Sequence, residues 1–324
     1  MHTRMVGALL AAFLICSVAL GQTPTKVFRV GLVHVGPPGT EILSGDFAEA
    51  FARRGYIEGK NIVFERYAAV GRLDRIPRMI DELVADKVDL IVTLGYPAAV
   101  AAAQDAPDVP IVVTNAGDPV ETGMVASFSH PGGHITGTSQ AATDLSAKRL
   151  QLLKEAAPTI HTVALLWNED DRAMQMRCNA AQLEAKKLGI VTQLLGVRAP
   201  EDFANAFLEM DLHPPDAILL VADALTIPNH QAVFDYAVAH HLPDMEEEGF
   251  LAHMGGLMAY GPDENDNFNR IAALSDRILN GTKPADLPLE LPTRFRLTVN
   301  LRTAHNLGLA IPDSILARAD EVIE

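Results

Sequence analysis

Short apolar runs alternate with stretches of helical spacing twice along this 324-residue chain, and that doubled alternation constrains the fold more than any other feature. Residues 26–35 (KVFRVGLVHV) read as a strand ending in the turn Gly36-Pro37-Pro38-Gly39. A helix follows with Phe47, Ala50 and Phe51 on one face, and Gly55 stops it. Residues 61–67 are strand-like, and 72–86 place Leu73, Ile76, Ile80, Leu83 and Val84 at helical spacing. Residues 88–94 form a short run rich in branched side chains. Pro97 then opens an Ala-rich helix over 97–104, where its missing N–H costs nothing, and 109–114 make the next strand. A β-α-β-α order of this kind gives a parallel sheet with helices on both faces.

The pattern then restarts. Residues 161–167 read as a strand, 172–188 as a helix, 190–197 as a strand and 201–210 as a helix. Residues 216–222 are a buried strand, followed by a helix across 228–240. Between the two series, residues 124–140 carry Pro131-Gly132-Gly133 and Gly137-Thr138-Ser139 and read as a crossover. Two tandem α/β lobes, on a chain whose length itself suggests two domains, point to a cleft that closes on something.

The N-terminus reads as an export signal. After Arg4, residues 6–20 are apolar or small, a run short of the roughly 20 residues a spanning helix needs. Ala19 and Gly21 mark a cleavage site before Gln22. Cys16 follows Leu14-Ile15 instead of a small residue, so lipid anchoring is not expected and the mature chain belongs in the periplasm. Cleavage leaves Cys178 alone, with no internal disulfide, and a buried, inert thiol is expected for it. With 26 Lys and Arg against 41 Asp and Glu, the net charge is −15, and no basic run offers a footprint for nucleic acid.

Catalytic motifs are missing. Gly31, Gly36 and Gly39 do not make a dinucleotide fingerprint, and residues 55–61 resemble a phosphate loop only superficially. There is no G-x-S-x-G elbow and no H-E-x-x-H zinc motif. His130 and His134, and His240-His241, lack Cys or carboxylate neighbours at ligand spacing and read as loop histidines. The chain therefore reads as a binding protein and not an enzyme, with no metal or other cofactor implied.

A set of segments in fixed order then carries a resemblance. These are FAEAFARRGYIEGKN (47–61), GRLDRI (71–76), GYPAA (95–99), GDPVETGMV (117–125), HPGGHITG (130–137), KRLQLLKE (148–155), LLWN (165–168), GGLMAYGP (255–262), KPADL (283–287) and a closing ADEVI. Together they resemble the ABC transporter substrate-binding family of the TrpX type, which includes tryptophan- and tyrosine-binding proteins. The resemblance implies a type I periplasmic-binding fold: two doubly wound parallel-sheet α/β lobes joined by three crossing segments. Lobe one is expected over 22–138 plus 262–284, and lobe two over 139–261 plus 285–324, after a signal at 1–21. Crossings are expected near 137–140, 260–262 and 285–288. The resemblance also implies a monomeric receptor for a small-molecule solute, with an ABC permease and its ATPase at the inner membrane as partners. A sensor of the same fold, reporting to a membrane signalling partner, is the alternative; an exported α/β enzyme is a third reading.

In open parallel sheets ligands gather beyond the carboxyl ends of the strands. That rule selects Thr40, then Tyr96, Pro97 and Ala98, then Asn115 and Asp118 in lobe one. In lobe two it selects Asn168, Asp223 and the run Glu246-Glu247-Glu248, with Ser139 and Tyr260 at crossings. The start of the Pro97 helix suits a carboxylate, Asp118 or Asp223 an ammonium, and Tyr96 offers a flat apolar face. Asp118 reads equally as the start of a turn, Asp223 as a helix cap, Asn168 as a loop residue and Tyr260 as a structural crossing residue. The glutamate run is a departure, because the family continues from Leu-Pro into an apolar strand here. Either that strand is short, or Glu247 and its neighbours face the cleft and favour a cationic solute.

Overall fold

The computed structural model describes residues 26–36, 45–70 and 72–324; the expected signal segment and Thr40 lie outside the described residues. The first half of the chain builds β1 (Phe28–His34), α1 (Gly45–Ala52), β2 (Ile62–Ala68), α2 (Ile76–Ala85), β3 (Leu90–Leu94), α3 (Tyr96–Asp105), β4 (Ile111–Thr114) and β5 (Ile135–Gly137). Its strands are all parallel, in the order β2-β1-β3-β4-β5. Alternation sorts their side chains. Val33, Ile91 and Val113 face the layer containing α2 and α3, while Val30, Leu32, Val92 and Val112 face Phe47 and Phe51 of α1.

The second half contributes α4 (Ala142–Ala156), β6 (Thr162–Asn168), α5 (Arg172–Leu188), β7 (Val191–Val197), α6 (Asp202–Leu212), β8 (Ala217–Leu220), α7 (His230–Ala239), β9 (Asp244–Glu246), α8 (Gly249–His253) and β10 (Met258–Pro262). Then come α9 (Glu264–Leu279), β11 (Phe295–Asn300), α10 (Leu301–Leu307), α11 (Asp313–Leu316) and β12 (Glu321–Ile323). The second sheet runs β12-β11-β10-β9-β8-β6-β7, and β11 is antiparallel to β10. Val163, Leu165, Ala217 and Leu219 pack toward α4 and α5; Ala164, Leu166, Ile218 and Leu220 pack toward α6 and α7. The α/β class with two parallel-dominated sheets is therefore as expected.

The chain exchanges lobes on its way. Helix α9 leaves the second sheet and returns to the first, where Phe268, Ile271 and Leu274 join the core of Phe47 and Phe51. Asp263 starts it by accepting the Asp266 N–H at 2.9 Å, which satisfies one of the donors a helix N-terminus leaves over. The passes between sheets lie at 138–141, 262–263 and 290–294. Thr138 bridges Glu290, and the Ser139 and Asp263 amides donate to the Glu290 and Arg294 carbonyls at 2.9 and 3.0 Å. The third pass thus falls beyond 285–288, because Pro284 and Leu287 are still anchored in lobe one. Cys178 is buried in α5, and burial pushes its thiol up to about 12. Among the described residues, no helix is long and apolar enough to cross a membrane.

Candidate functional site

Both sheets reverse direction in the same way. In the first, β1 lies between β2 and β3; in the second, β6 lies between β7 and β8. Neighbouring connections leave such a point on opposite faces, so a crevice opens at the carboxyl ends of the central strands. The two crevices face each other across one partly enclosed cavity.

Lobe one lines it with His34 and Gly36 after β1, Tyr96 and Pro97 after β3, and Asn115 after β4. Gly95 takes φ 96°, a left-handed conformation that lets β3 turn directly into α3. The α3 N-terminus therefore meets the cavity with first-turn N–H groups that have no intrahelical acceptor. Lobe two contributes Asp171, Met174 and Arg177 after β6, Asp223 and Ile227 after β8, and Glu248 and Phe250 after β9. Gln140, on the first pass between lobes, completes the wall.

The polar groups are held in place before any ligand arrives. Asp171 caps α5, taking the Ala173 and Met174 N–H groups at 2.8 and 3.4 Å. Asp223 takes the Leu225 and Thr226 amides at 2.9 and 2.8 Å on one oxygen, and the Asn168 side-chain amide at 2.6 Å on the other. Burial raises the pKa of both carboxyls, and the charge of Asp223 raises Asp171 further. Behind the wall, Glu247 sits between two arginines: Arg149 donates to it at 2.7 Å, and Arg177 donates to its other oxygen. Arg149 also donates to the Tyr260 carbonyl at 2.7 Å. Arg177 donates to the Gln140 side chain at 3.0 Å, which donates in turn to Glu248 at 3.0 Å.

The sequence-selected residues divide accordingly. Tyr96, Pro97, Asn115 and Asp223 line the cavity. Asn168 stands behind Asp223 and holds it. Ala98 does not line it: its methyl turns back into the lobe-one core and is wholly buried. Asp118 and Ser139 are instead used at the junction between lobes, where Ser139 donates to Asp118 at 3.1 Å. Asp118 also accepts the Thr143 amide at 3.1 Å, near the α4 N-terminus. Tyr260 lies within β10, half-buried, with its ring 6.0 Å from Phe295. Glu247 does not reach the cavity, because its carboxylate is consumed by the arginine pair; Glu248 is the member of the run that does.

Asp171, Arg177, Gln140 and Met174 were not selected from sequence. Asp171 carries a usable signal, an N-cap two residues before an amphipathic run at a strand end. Arg177 has none of its own, since an arginine inside a helix reads as solvent-facing.

The family profile described as ABC transporter substrate binding protein matches residues 32–323. The chain belongs to that family. This substrate-binding protein is 25% identical over 263 residues to a tyrosine-binding protein of Clostridioides difficile (strain R20291), covering 81% of this chain and 75% of that one. It superposes with a TM-score of 0.85 on an ABC domain in complex with L-Trp from Streptococcus pneumonia, at 23% identity over 92% of this chain and all of that one. On a ligand-free, open substrate binding protein with adhesive properties from Clostridium difficile the TM-score is 0.67, at 24% identity and coverage of 92% and 99%. These likenesses establish the fold.

Proposed function

We propose that this chain is a periplasmic receptor that captures an amino acid, or a related aromatic or amine compound, between its lobes and delivers it to an ABC importer. The observation that carries the reading is the charge balance of the inter-lobe cavity. Among the described residues, Asp171, Asp223 and Glu248 line it with Arg177 as the one arginine, and Glu247 behind the wall is shared between Arg177 and Arg149. Such a wall favours a ligand that brings a positive group, and the α3 N-terminus opposite offers a place for a carboxylate. Tyr96, Met174 and Phe250 supply the apolar surface for a side chain. The names of the relatives, tyrosine-binding and L-Trp-bound, point the same way.

The receptor acts by binding without turnover. Ligand entering an open cleft contacts one lobe first, and the second lobe closes once its own groups are satisfied. The permease then reads the closed form as a monomer. A thermal-shift panel of amino acids, aromatic acids, polyamines and short sugars tests this. A ligand at 100 times its dissociation constant raises stability by about 2.7 kcal/mol. Amino acids are expected to raise the melting temperature and sugars to leave it unchanged; a panel in which only sugars or amine-free acids stabilise contradicts the reading.

A further inference from the structure

Two cavities lie side by side along the cleft between the lobes. Outside the cavity already described lies a second one, of about 860 Å³ counted to its open mouth. Its lobe-one wall is largely apolar, with Leu73, Pro77 and Val100 beside Gln104 and Asp105, and its lobe-two wall carries Asn168, Asp170 and Asp171. The two cavities share Tyr96, Pro97 and Asp171. Pro97 and Asp171 belong to opposite lobes, and Tyr96 is the bulky side chain between them.

The placement of that ring is unusual for its element. Tyr96 is the first residue of α3 in lobe one, yet it packs against the apolar cluster of lobe two that contains Trp167, Ala173 and Met174. Burial raises the pKa of its phenol, the charge of Asp171 adds to this and that of Arg172 opposes it, so the ring lies close to both lobe-two side chains. Among the described residues, no group hydrogen-bonds the hydroxyl. The side chain is thus held by shape, as a partition is. A tyrosine suits that task because a rigid ring fills the gap with only two side-chain torsions to immobilise.

We infer that Tyr96 is the wall that sets ligand length, closing the inner cavity to anything longer than a single amino acid and separating it from an outer chamber suited to an amine-bearing extension. The specificity follows from the outer walls. Asp105, Asp170 and Asp171 line that chamber; Asp170 is paired with Arg198 at 3.3 Å, which leaves Asp105 and Asp171 to meet an extension carrying a cation. The inference rests on reading the inner cavity as the solute site, and the test separates the two.

Wild type, Tyr96→Ser and Tyr96→Phe are titrated by calorimetry with L-tyrosine and with the dipeptides L-tyrosyl-L-lysine and L-lysyl-L-tyrosine. The crystal structure of Tyr96→Ser is determined alongside. Wild type and Tyr96→Phe are expected to bind L-tyrosine and to bind both dipeptides at least tenfold more weakly. Tyr96→Ser is expected to narrow that gap tenfold or more for one dipeptide, with one continuous cavity in its crystal structure. Equal discrimination by Tyr96→Ser and wild type, or wild-type binding of a dipeptide as tight as of L-tyrosine, overturns the wall. If wild type binds none of the three, tyrosine is excluded as the solute, whichever way the wall stands. The crystal structure then decides the wall: one chamber supports it and two separate chambers overturn it.

Discussion

Glu247 shows how far a single residue could be read. Three adjacent glutamates after Leu242-Pro243 demand either a short strand or a turn toward the cleft, and the structure does both. Strand β9 stops at Glu246, Glu248 reaches the cavity, and Glu247 is buried between Arg149 and Arg177. The arginines lie 98 and 70 positions away along the chain, on two helices, so no local pattern announces them. Glu247→Gln leaves two buried guanidinium groups with their shared counter-charge removed, and breaking such a pair costs about 3–5 kcal/mol. Urea unfolding is expected to show a loss of that size, and a change under 1 kcal/mol would refute the buried network.

Asp244 and Glu246 point to the opposite face of the same strand. One Asp244 oxygen takes the Leu257 amide at 2.5 Å; the other oxygen and both Glu246 oxygens are buried with no hydrogen-bond partner. Burial pushes Asp244 up to about 7, and burial with the Asp244 charge raises Glu246 as well. A carboxyl raised on folding holds its proton more tightly when folded. Its contribution is complete below the unfolded value of about 4 and is lost as pH climbs through the folded value. The melting temperature should therefore fall between pH 5 and pH 8, and Asp244→Asn should flatten that slope. An identical slope in the variant would contradict the assignment.

At the scale of elements, the long periodic segments were legible and the short ones were not. Helices α1, α3 and α5 and strands β1, β3, β4 and β6 fall within a few residues of the ranges read from spacing. Strand β5 was read as crossover, because three residues following Pro131-Gly132-Gly133 carry too little pattern to separate a strand from a loop. Yet β5 decides how the lobes join. Gly137 takes φ 151°, and a Cβ there would stand 2.0 Å from the Val113 carbonyl of β4. Gly137→Ala should cost about 3 kcal/mol or more through strain and overlap together. Gly133→Ala is the control: φ is 62° with nothing near the new methyl, so only the left-handed backbone is charged, at about 1 kcal/mol. Equal losses for the two variants would deny β5 its close packing on β4.

For the molecule as a whole, the doubled strand–helix alternation and the ordered family segments were enough to read two α/β lobes around a cleft. The strand-end rule then found Tyr96, Pro97, Asn115 and Asp223, because a crevice at a reversal point is a property of topology and not of any one motif. It also selected Asp118, which, with the crossing residue Ser139, is turned into the junction between lobes. Which strand-end side chains face the ligand depends on how the lobes meet, and that is written in distant contacts such as Gln140 with Arg177 and Glu248.

The central claim is that the acidic inter-lobe cavity captures a solute by its amine and releases it unchanged. Calorimetric titration of residues 22–324 with the amino acid that most stabilises the fold, repeated on the Asp171→Asn, Asp223→Asn double variant, tests it most directly. Saturable binding of one ligand per chain, recovery of that ligand chemically intact, and affinity at least tenfold weaker in the double variant are expected. Wild-type affinity retained by the double variant, or a ligand consumed during the titration, would contradict it.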